Sequence, residues 1–190
     1  MPARLTTKCP RHKNLRIGIE SRMHFSRIFA CMIAVALSVA ITHEATAQDR
    51  GPVTNLPLPR FVSMKASEAN VRRGPSLTHR IDWIFKHQNV PLEIIAEHGH
   101  WRRVRDHDGA VGWIHYSLLS GARTAMIEQD MLMLKSKPNE NARAVVQLEL
   151  GVIARVDECD TEWCRLSVAG YRGWAPKTYI WGVRAGETLD

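Results

Sequence analysis

Short apolar segments alternate with turn residues along most of the chain. From Phe61 onward, runs rich in Val, Ile, Leu and Trp are interrupted by Gly, Pro, Asn or Asp at about every 8–12 positions, a spacing typical of a sandwich or barrel. No long amphipathic helix is visible. We therefore predict an all-β fold with a helical turn near Ser117–Ser120. The predicted strands lie near 61–66, 81–87, 90–97, 100–106, 110–115, 130–135, 143–148, 151–158, 163–168 and 171–175.

The same pattern of tryptophan and glycine occurs twice. The matching landmarks are Trp101 and Trp163, Trp113 and Trp174, and Gly121 and Gly182. Their nearly constant offset of about 60 residues is too long for a solenoid unit and indicates two copies of a small all-β domain. We predict domains at 61–122 and 123–190.

Turn length predicts how the central hairpin of each copy pairs. A two-residue turn at Ala169-Gly170 places Leu166 opposite Gly173, and a three-residue loop ending in a left-handed Gly109 places Val104 opposite Gly112. Period-two alternation then divides the side chains between two faces. The predicted core face comprises Val104, Gly112, Ile114, Leu166, Val168, Tyr171 and Gly173. The predicted outer face comprises Trp101, Arg103, Arg105, Val111, Trp113, His115, Trp163, Arg165, Ser167, Arg172, Trp174 and Pro176.

The N-terminal segment 1–47 has the features of a secretory signal peptide. A basic stretch after Met23 precedes an apolar run of 14 residues, Ile28–Ile41, and Ala45-Thr46-Ala47 supplies a small-x-small cleavage pattern before Gln48. A transmembrane anchor is the alternative, but a span needs about 20 apolar residues. We expect an exported, periplasmic or secreted protein without a transmembrane anchor in the mature chain, and Met23 is a second candidate start. The proline-rich segment 48–60 is predicted to be an extended linker.

Charge and cysteine content both change once 1–47 is removed. That segment holds seven of the 26 Lys and Arg residues and two of the 19 Asp and Glu residues, so the remainder has a net charge of +2. A net charge so close to zero argues against a nucleic-acid partner, because binding one would require a continuous basic surface on the protein. Cys159 and Cys164 remain, and in an oxidising compartment we predict a disulfide between them.

The stretch Asn70-Val71-Arg72-Arg73-Gly74-Pro75-Ser76 resembles the N-V-R-x-G-P-S signature of bacterial SH3-like domains. Trp101-Arg102-Arg103-Val104 and Gly112-Trp113-Ile114-His115 match that family's W-x-x-V and G-W-V landmarks. The second copy keeps the tryptophan landmarks but lacks the Asn and Gly of the signature. The resemblance implies two tandem small SH3-like β-barrels after a cleaved signal peptide. It also implies a binding or targeting role, commonly toward cell-wall material or peptides, with no catalysis and no cofactor.

The outer face of the first copy is the predicted ligand site. We expect Trp101, Arg103 and Trp113 to contribute, with Arg72 and Arg73 nearby, because aromatic and guanidinium groups alternate there. The alternative is that the matching faces of the two copies pack together. A metal site at His98, His100 and His115 is considered, but turn histidines are usually solvated, and no metal is predicted.

Three function classes remain open at this level. The first is an exported, non-catalytic binding module for peptidoglycan or peptides. The second is a structural or scaffold partner of another envelope protein. The third is an accessory part of a cell-wall hydrolase, which would need a catalytic domain beyond the two β copies.

Overall fold

The computed structural model describes residues 49–190, so the predicted signal peptide and Met23 lie outside the described residues. The first copy contains seven strands and a 3₁₀ turn at Tyr116–Leu118. These strands are β1 (Arg60–Met64), β2 (Ala69–Arg72), β3 (Ile81–Phe85), β4 (Pro91–His98), β5 (Trp101–Arg105), β6 (Val111–His115) and β7 (Leu119–Ser120).

The second copy repeats this plan, with a 3₁₀ turn at Lys177–Tyr179. Its strands are β8 (Thr124–Ile127), β9 (Leu132–Lys135), β10 (Ala144–Leu148), β11 (Ile153–Cys159), β12 (Trp163–Val168), β13 (Tyr171–Pro176) and β14 (Ile180–Trp181). Within 49–190 no helix is both long and apolar enough to span a bilayer.

The two sheets have the same strand order. It runs β3-β2-β6-β5-β4-β1-β7 in the first sheet and β10-β9-β13-β12-β11-β8-β14 in the second. The predicted all-β repeat is therefore confirmed. Each sheet has two edge strands that do not pair with each other, so it is an open, seven-stranded antiparallel sheet rather than a closed barrel.

Each copy has its own apolar core. The alternation of side chains along the strands sends every second residue inward, as in β5, where Arg102 and Val104 are buried and Arg103 and Arg105 are exposed. The first core contains Val62, Met64, Ala69, Val71, Leu92, Ile94, Val104 and Ile114. The second contains Ala125, Ile127, Leu132, Leu134, Leu148, Ala154, Val156, Cys159, Cys164, Leu166, Ala175 and Ile180.

The predicted hairpin register is confirmed in both copies. Val104 pairs with Gly112 and Leu166 pairs with Gly173. Gly109 has a φ of +85°, as the three-residue loop requires, and Ala169 and Gly170 have φ values of +49° and +84°.

Two glycines allow neighbouring strands to approach closely. A Cβ on Gly112 would lie 2.3 Å from Val71 Cγ1, and one on Gly173 would lie 2.8 Å from Leu134 Cβ. Any side chain at these positions would overlap the strand beside it, which is why the G-W landmark begins with glycine in both copies.

Several details differ from the sequence prediction. Tyr171, which the alternation predicts on the core face, is 52% exposed, because it is the first residue of β13, beside the turn at Ala169-Gly170. Strands β2, β7, β8 and β14 were not predicted, since none has more than four residues and so short a segment shows too little alternation of apolar and polar side chains.

The segment 49–59 forms a closed loop on the first sheet rather than an extended linker. Arg50 bridges to Pro57, and Leu58 packs against the first core. The backbone N–H groups of Val53 and Thr54 donate to Glu97 Oε2 at 3.1 and 2.9 Å. The proline content predicts an extended linker, and this prediction is wrong because nothing in the local sequence indicates that Glu97 binds this segment.

The predicted disulfide between Cys159 and Cys164 is present. The two residues are direct cross-strand partners on β11 and β12, with their Cα atoms 4.1 Å apart. Cys159 also exchanges both of its backbone hydrogen bonds with Leu189, at 2.8 and 3.0 Å. The disulfide therefore lies at the point where the C-terminal tail pairs with the β11–β12 hairpin.

The two sheets contact each other through β1 and the β3–β4 and β5–β6 loops of the first copy. Phe61 and Trp181 pack edge to face, with ring centroids 5.1 Å apart. The buried Thr124 hydroxyl donates to the carbonyl of Asn89 at 2.7 Å, and His107 Nε2 lies 3.1 Å from Glu128 Oε1. We call this set of contacts the junction.

Candidate functional site

Four of the five predicted site residues lie on one face of three adjacent strands. Arg103 is the cross-strand partner of Trp113, and Arg72 of β2 pairs with Trp113 from the other side. Trp101 is paired with His115, and their rings meet edge to face at 5.5 Å. Directly paired residues of a sheet project to the same side, so the indoles and guanidinium groups share one surface.

A groove of about 320 Å³ opens beside this surface, and we call it the Trp101 groove. It brings Arg72 and Trp101 together, whereas Arg103 and Trp113 lie on the adjoining outer face. The groove is lined by Glu68, Asn70, Arg72, Leu77, Trp101 and His115, together with Ala69 and Leu118.

Arg72 is held in place by backbone carbonyls. Its Nη1 donates to Leu77 O at 3.0 Å and to His79 O at 2.7 Å. These acceptors belong to the loop that follows the Gly-Pro step of the signature. A guanidinium fixed in this way presents its remaining donors to a ligand with little further loss of side-chain freedom.

Arg73 is not brought into the groove. Its guanidinium contacts Asp82, with Nη2 3.2 Å from Oδ1, and its side chain is largely exposed. The hydrogen bond from Arg80, aided by that from Arg73, lowers the pKa of Asp82. Arg73 therefore belongs to an exposed ion-pair cluster at the edge of the first sheet.

An aromatic cluster continues the Trp101 groove at its His115 end. His100 stacks on Tyr116 with ring centroids 5.6 Å apart, and His115 lies 5.0 Å from the same ring. The Arg102 guanidinium lies 5.8 Å from the Tyr116 centroid. Within residues 49–190, no group of three or more His, Cys, Asp or Glu side chains is arranged to hold a metal ion.

Sequence reasoning missed Glu68, Asn70, His100 and Tyr116 as members of this surface. Asn70 is part of the N-V-R-x-G-P-S signature, and Tyr116 directly follows the Gly112–His115 motif. The position of both residues in or beside a motif could therefore have indicated them. His100 was considered beside His115 only as part of a metal site, and Glu68 had no signal, because the fold alone brings it into one groove with Trp101 and His115.

The second copy has a groove at the corresponding place, of about 570 Å³, which we call the Trp163 groove. Its chemistry differs. Trp163 is only 9% exposed, Pro176 stands where the first copy has His115, and Ala185 and Gly186 of the C-terminal tail add a wall. Lys135 replaces Arg72 opposite the second G-W tryptophan.

Trp113 and Trp174 are both half-buried. In the described part of the chain, the two sheets are joined through the junction, around Phe61, Thr124 and Trp181, and through the approach of Arg184 to Glu93. The geometry therefore gives no support to the alternative in which the two tryptophan faces pack on each other.

Similar solved structures include two proteins from Trichomonas vaginalis. NlpC2 is 12% identical with a TM-score of 0.31, and the match covers 65% of this chain and 48% of that one. NlpC1 is 12% identical with a TM-score of 0.31, covering 64% and 45%. An NlpC/P60 family protein from Bacillus cereus is 11% identical with a TM-score of 0.30, covering 66% and 57%. The chain thus spans about half the length of these proteins.

No curated protein matches the chain. The family model of the bacterial SH3 domain matches twice, at residues 65–121 and 128–182. Each match falls on one of the two seven-stranded sheets. Because the two matches together span more than half of the chain, this protein belongs to the bacterial SH3 domain family and carries two tandem copies of the domain.

Proposed function

We propose that this chain is an exported, non-catalytic module that binds cell-wall peptidoglycan, or a peptide of similar chemistry, through the Trp101 groove. The observation that carries the proposal is the meeting of Trp101 and His115 with the anchored Arg72 guanidinium in one open groove. Bacterial SH3 domains are typically non-catalytic binding modules, and both copies belong to that family.

The chemistry of the groove suits a ligand with sugar or peptide character. The apolar faces of sugar rings and peptide side chains pack on indole and imidazole rings. Arg72 supplies donors for a carboxylate or a carbonyl, and Glu68 and Asn70 supply polar partners on the same groove wall. A disulfide between Cys159 and Cys164 is compatible with an oxidising, extracytoplasmic compartment, which is where such a ligand would be met.

The test is binding to purified sacculi, measured as the fraction of protein that sediments with them. Trp101→Ala removes the indole from the groove, and we expect affinity to fall about tenfold, equivalent to about 1.4 kcal/mol. Trp113→Ala, which removes the neighbouring indole, is expected to weaken binding as well. Trp174→Ala is the matched control, since it deletes the same side chain from the corresponding face of the second copy.

Thermal unfolding of each variant separates binding from stability. The proposal holds if Trp101→Ala loses sacculus binding while its midpoint stays within a few degrees of the wild type. It is wrong if wild-type protein does not sediment with sacculi, or if Trp174→Ala and Trp101→Ala lose binding equally.

A scaffold role toward another envelope protein is the second candidate. It is favoured by β3, an edge strand of the first sheet with Ile81 and Ile84 39% and 42% exposed, next to a loop in which Leu77 is 75% exposed. Edge strands with exposed apolar side chains are suited to pairing with another chain. Binding that survives Trp101→Ala but is lost in Ile84→Lys would favour this candidate.

A further inference from the structure

A third groove, of about 370 Å³, lies where the N-terminal loop meets the C-terminal tail, and we call it the Arg60–Arg184 groove. Pro57, Pro59 and Arg60 line it from the first copy. Arg184, Ala185, Gly186 and Glu187 line it from the second copy. It is separate from the Trp101 groove, with which it shares no lining residue.

Two arginines of this groove hold buried donors without an acceptor. Arg60 Nη2 donates to Glu97 at 2.8 Å, but Arg60 Nη1 is buried and has no hydrogen-bond partner within residues 49–190. Arg184 Nη2 is likewise buried and unpartnered there, with its nearest carboxylate oxygen, Glu93 Oε1, 3.9 Å away. A buried donor without an acceptor is costly, and native proteins rarely retain one without a reason.

The charges around the groove do not balance. Each carboxylate of the region already has a guanidinium partner: Glu97 is paired with Arg60, Glu93 with Arg105, and Glu187 with Arg123. Among the guanidinium groups that line the groove, Arg184 exceeds this pairing, since its recorded approach to a carboxylate is 3.9 Å, to Glu93.

We propose that the Arg60–Arg184 groove is an oxyanion site that takes a carboxylate or phosphate group carrying a short apolar body. The excess guanidinium charge and the two unpartnered donors match the planar oxygens of such a group, which guanidinium binds in a forked geometry. Pro57, Pro59 and Ala185 supply apolar walls for the attached body. Because the lining comes from both copies, a bound anion would also hold the two copies together.

The experiment is an NMR titration of the full mature chain with inorganic phosphate and, separately, with butyrate. Total ionic strength is kept constant with sodium chloride, and the backbone amides of Ala185, Gly186 and Glu187 are followed. We expect saturable shifts at these amides with at least one probe, and the two arms identify which oxyanion is preferred.

Arg184→Gln is the diagnostic variant, because the described contacts give its guanidinium only the 3.9 Å approach to Glu93. We expect it to weaken probe binding at least tenfold, while Arg184→Lys, which keeps the charge but loses the fork, gives an intermediate affinity. Arg172→Gln is the matched control. Arg172 is 68% exposed and makes a comparable 3.9 Å approach to Asp157, and its loss should leave probe binding unchanged.

The proposal is overturned if neither probe gives saturable shifts, or if Arg184→Gln binds as tightly as Arg172→Gln. Shifts that rise linearly and appear at many exposed arginines would show an adventitious ion only, and would also overturn it. Sacculus binding through Trp101 is measured separately, so either proposal can fail while the other stands.

Discussion

Glu97 is a fully buried carboxylate whose ionised form is stabilised from several sides. Burial by itself raises its pKa, but hydrogen bonds from Thr54, Arg60 and Val53 outweigh that effect and bring the pKa down to about 2. The Thr54 hydroxyl donates at 2.7 Å. Gly51 makes room for the carboxylate, since a Cβ there would lie 2.3 Å from Glu97 Oε2.

This environment predicts acid sensitivity of the fold. A folded pKa below the unfolded value of 4.5 means that the contribution of Glu97 is present above pH 4.5 and is lost as pH falls toward about 2. The shift corresponds to about 3 kcal/mol of unfolding free energy. We expect Glu97→Gln to be destabilised by about this amount at pH 7, and the gap to the wild type to narrow between pH 4.5 and 2.

Chemical denaturation at a series of pH values measures this effect. Glu149→Gln, which removes an exposed carboxylate of the second copy, is the control and should follow the wild-type curve. A constant gap between wild type and Glu97→Gln across the acid range would contradict the assignment.

At the scale of elements, the β11–β12 hairpin combines two restraints. Asp160 Oδ1 accepts hydrogen bonds from the backbone N–H groups of Glu162 and Trp163 at 2.8 and 2.7 Å, which orders the loop. The disulfide then closes a loop that is already short. Its entropic contribution is therefore modest, about 2 kcal/mol.

Reduction of the disulfide is expected to lower the thermal midpoint by about 5 °C, the shift that about 2 kcal/mol produces when the two domains unfold as one cooperative unit of about 150 residues. Because Cys159 exchanges backbone hydrogen bonds with Leu189, amide exchange at Leu189 should also accelerate. A variant carrying Cys159→Ala and Cys164→Ala should not respond to reductant. Two titratable thiols in the native oxidised protein would refute the cross-link.

At the scale of the whole molecule, the junction couples two domains that each have their own core. The edge-to-face pair of Phe61 and Trp181 is extended by the Arg123 guanidinium, 5.7 Å from the Phe61 centroid. His107 also approaches the Trp181 ring, at 5.7 Å. Aromatic contacts of this kind contribute about 1 kcal/mol each beyond the area that they bury.

Trp181→Ala should therefore uncouple the domains. We expect calorimetry to show one cooperative transition for the wild type and two separated transitions for the variant, with NMR shifts changing at Phe61 and His107 in the first copy. Trp174→Ala, which removes a tryptophan outside the junction, should leave the Phe61 and His107 signals in place. Equal changes at these signals in both variants would argue against the junction as the coupling element.

Local sequence determined the repeat, the strand-rich character and the central hairpins. Turn length and period-two alternation need only a few neighbouring residues, so the pairing of Arg103 with Trp113 and of Arg165 with Trp174 could be predicted and is confirmed. The SH3-like family was predicted from the resemblance of short motifs, and the Cys159–Cys164 disulfide from the cysteine count of an exported chain; both are confirmed.

Contacts between residues distant in the chain were decided only by the tertiary structure. The hydrogen-bond partners of Glu97 lie 37–44 residues away, so the closed loop at 49–59 could not be predicted from its proline content. The approach of Arg60 to the tail at Arg184 likewise depends on how two independently folded sheets meet. Alternation along a strand specifies which side a residue faces, but what covers that side depends on the packing of the whole chain.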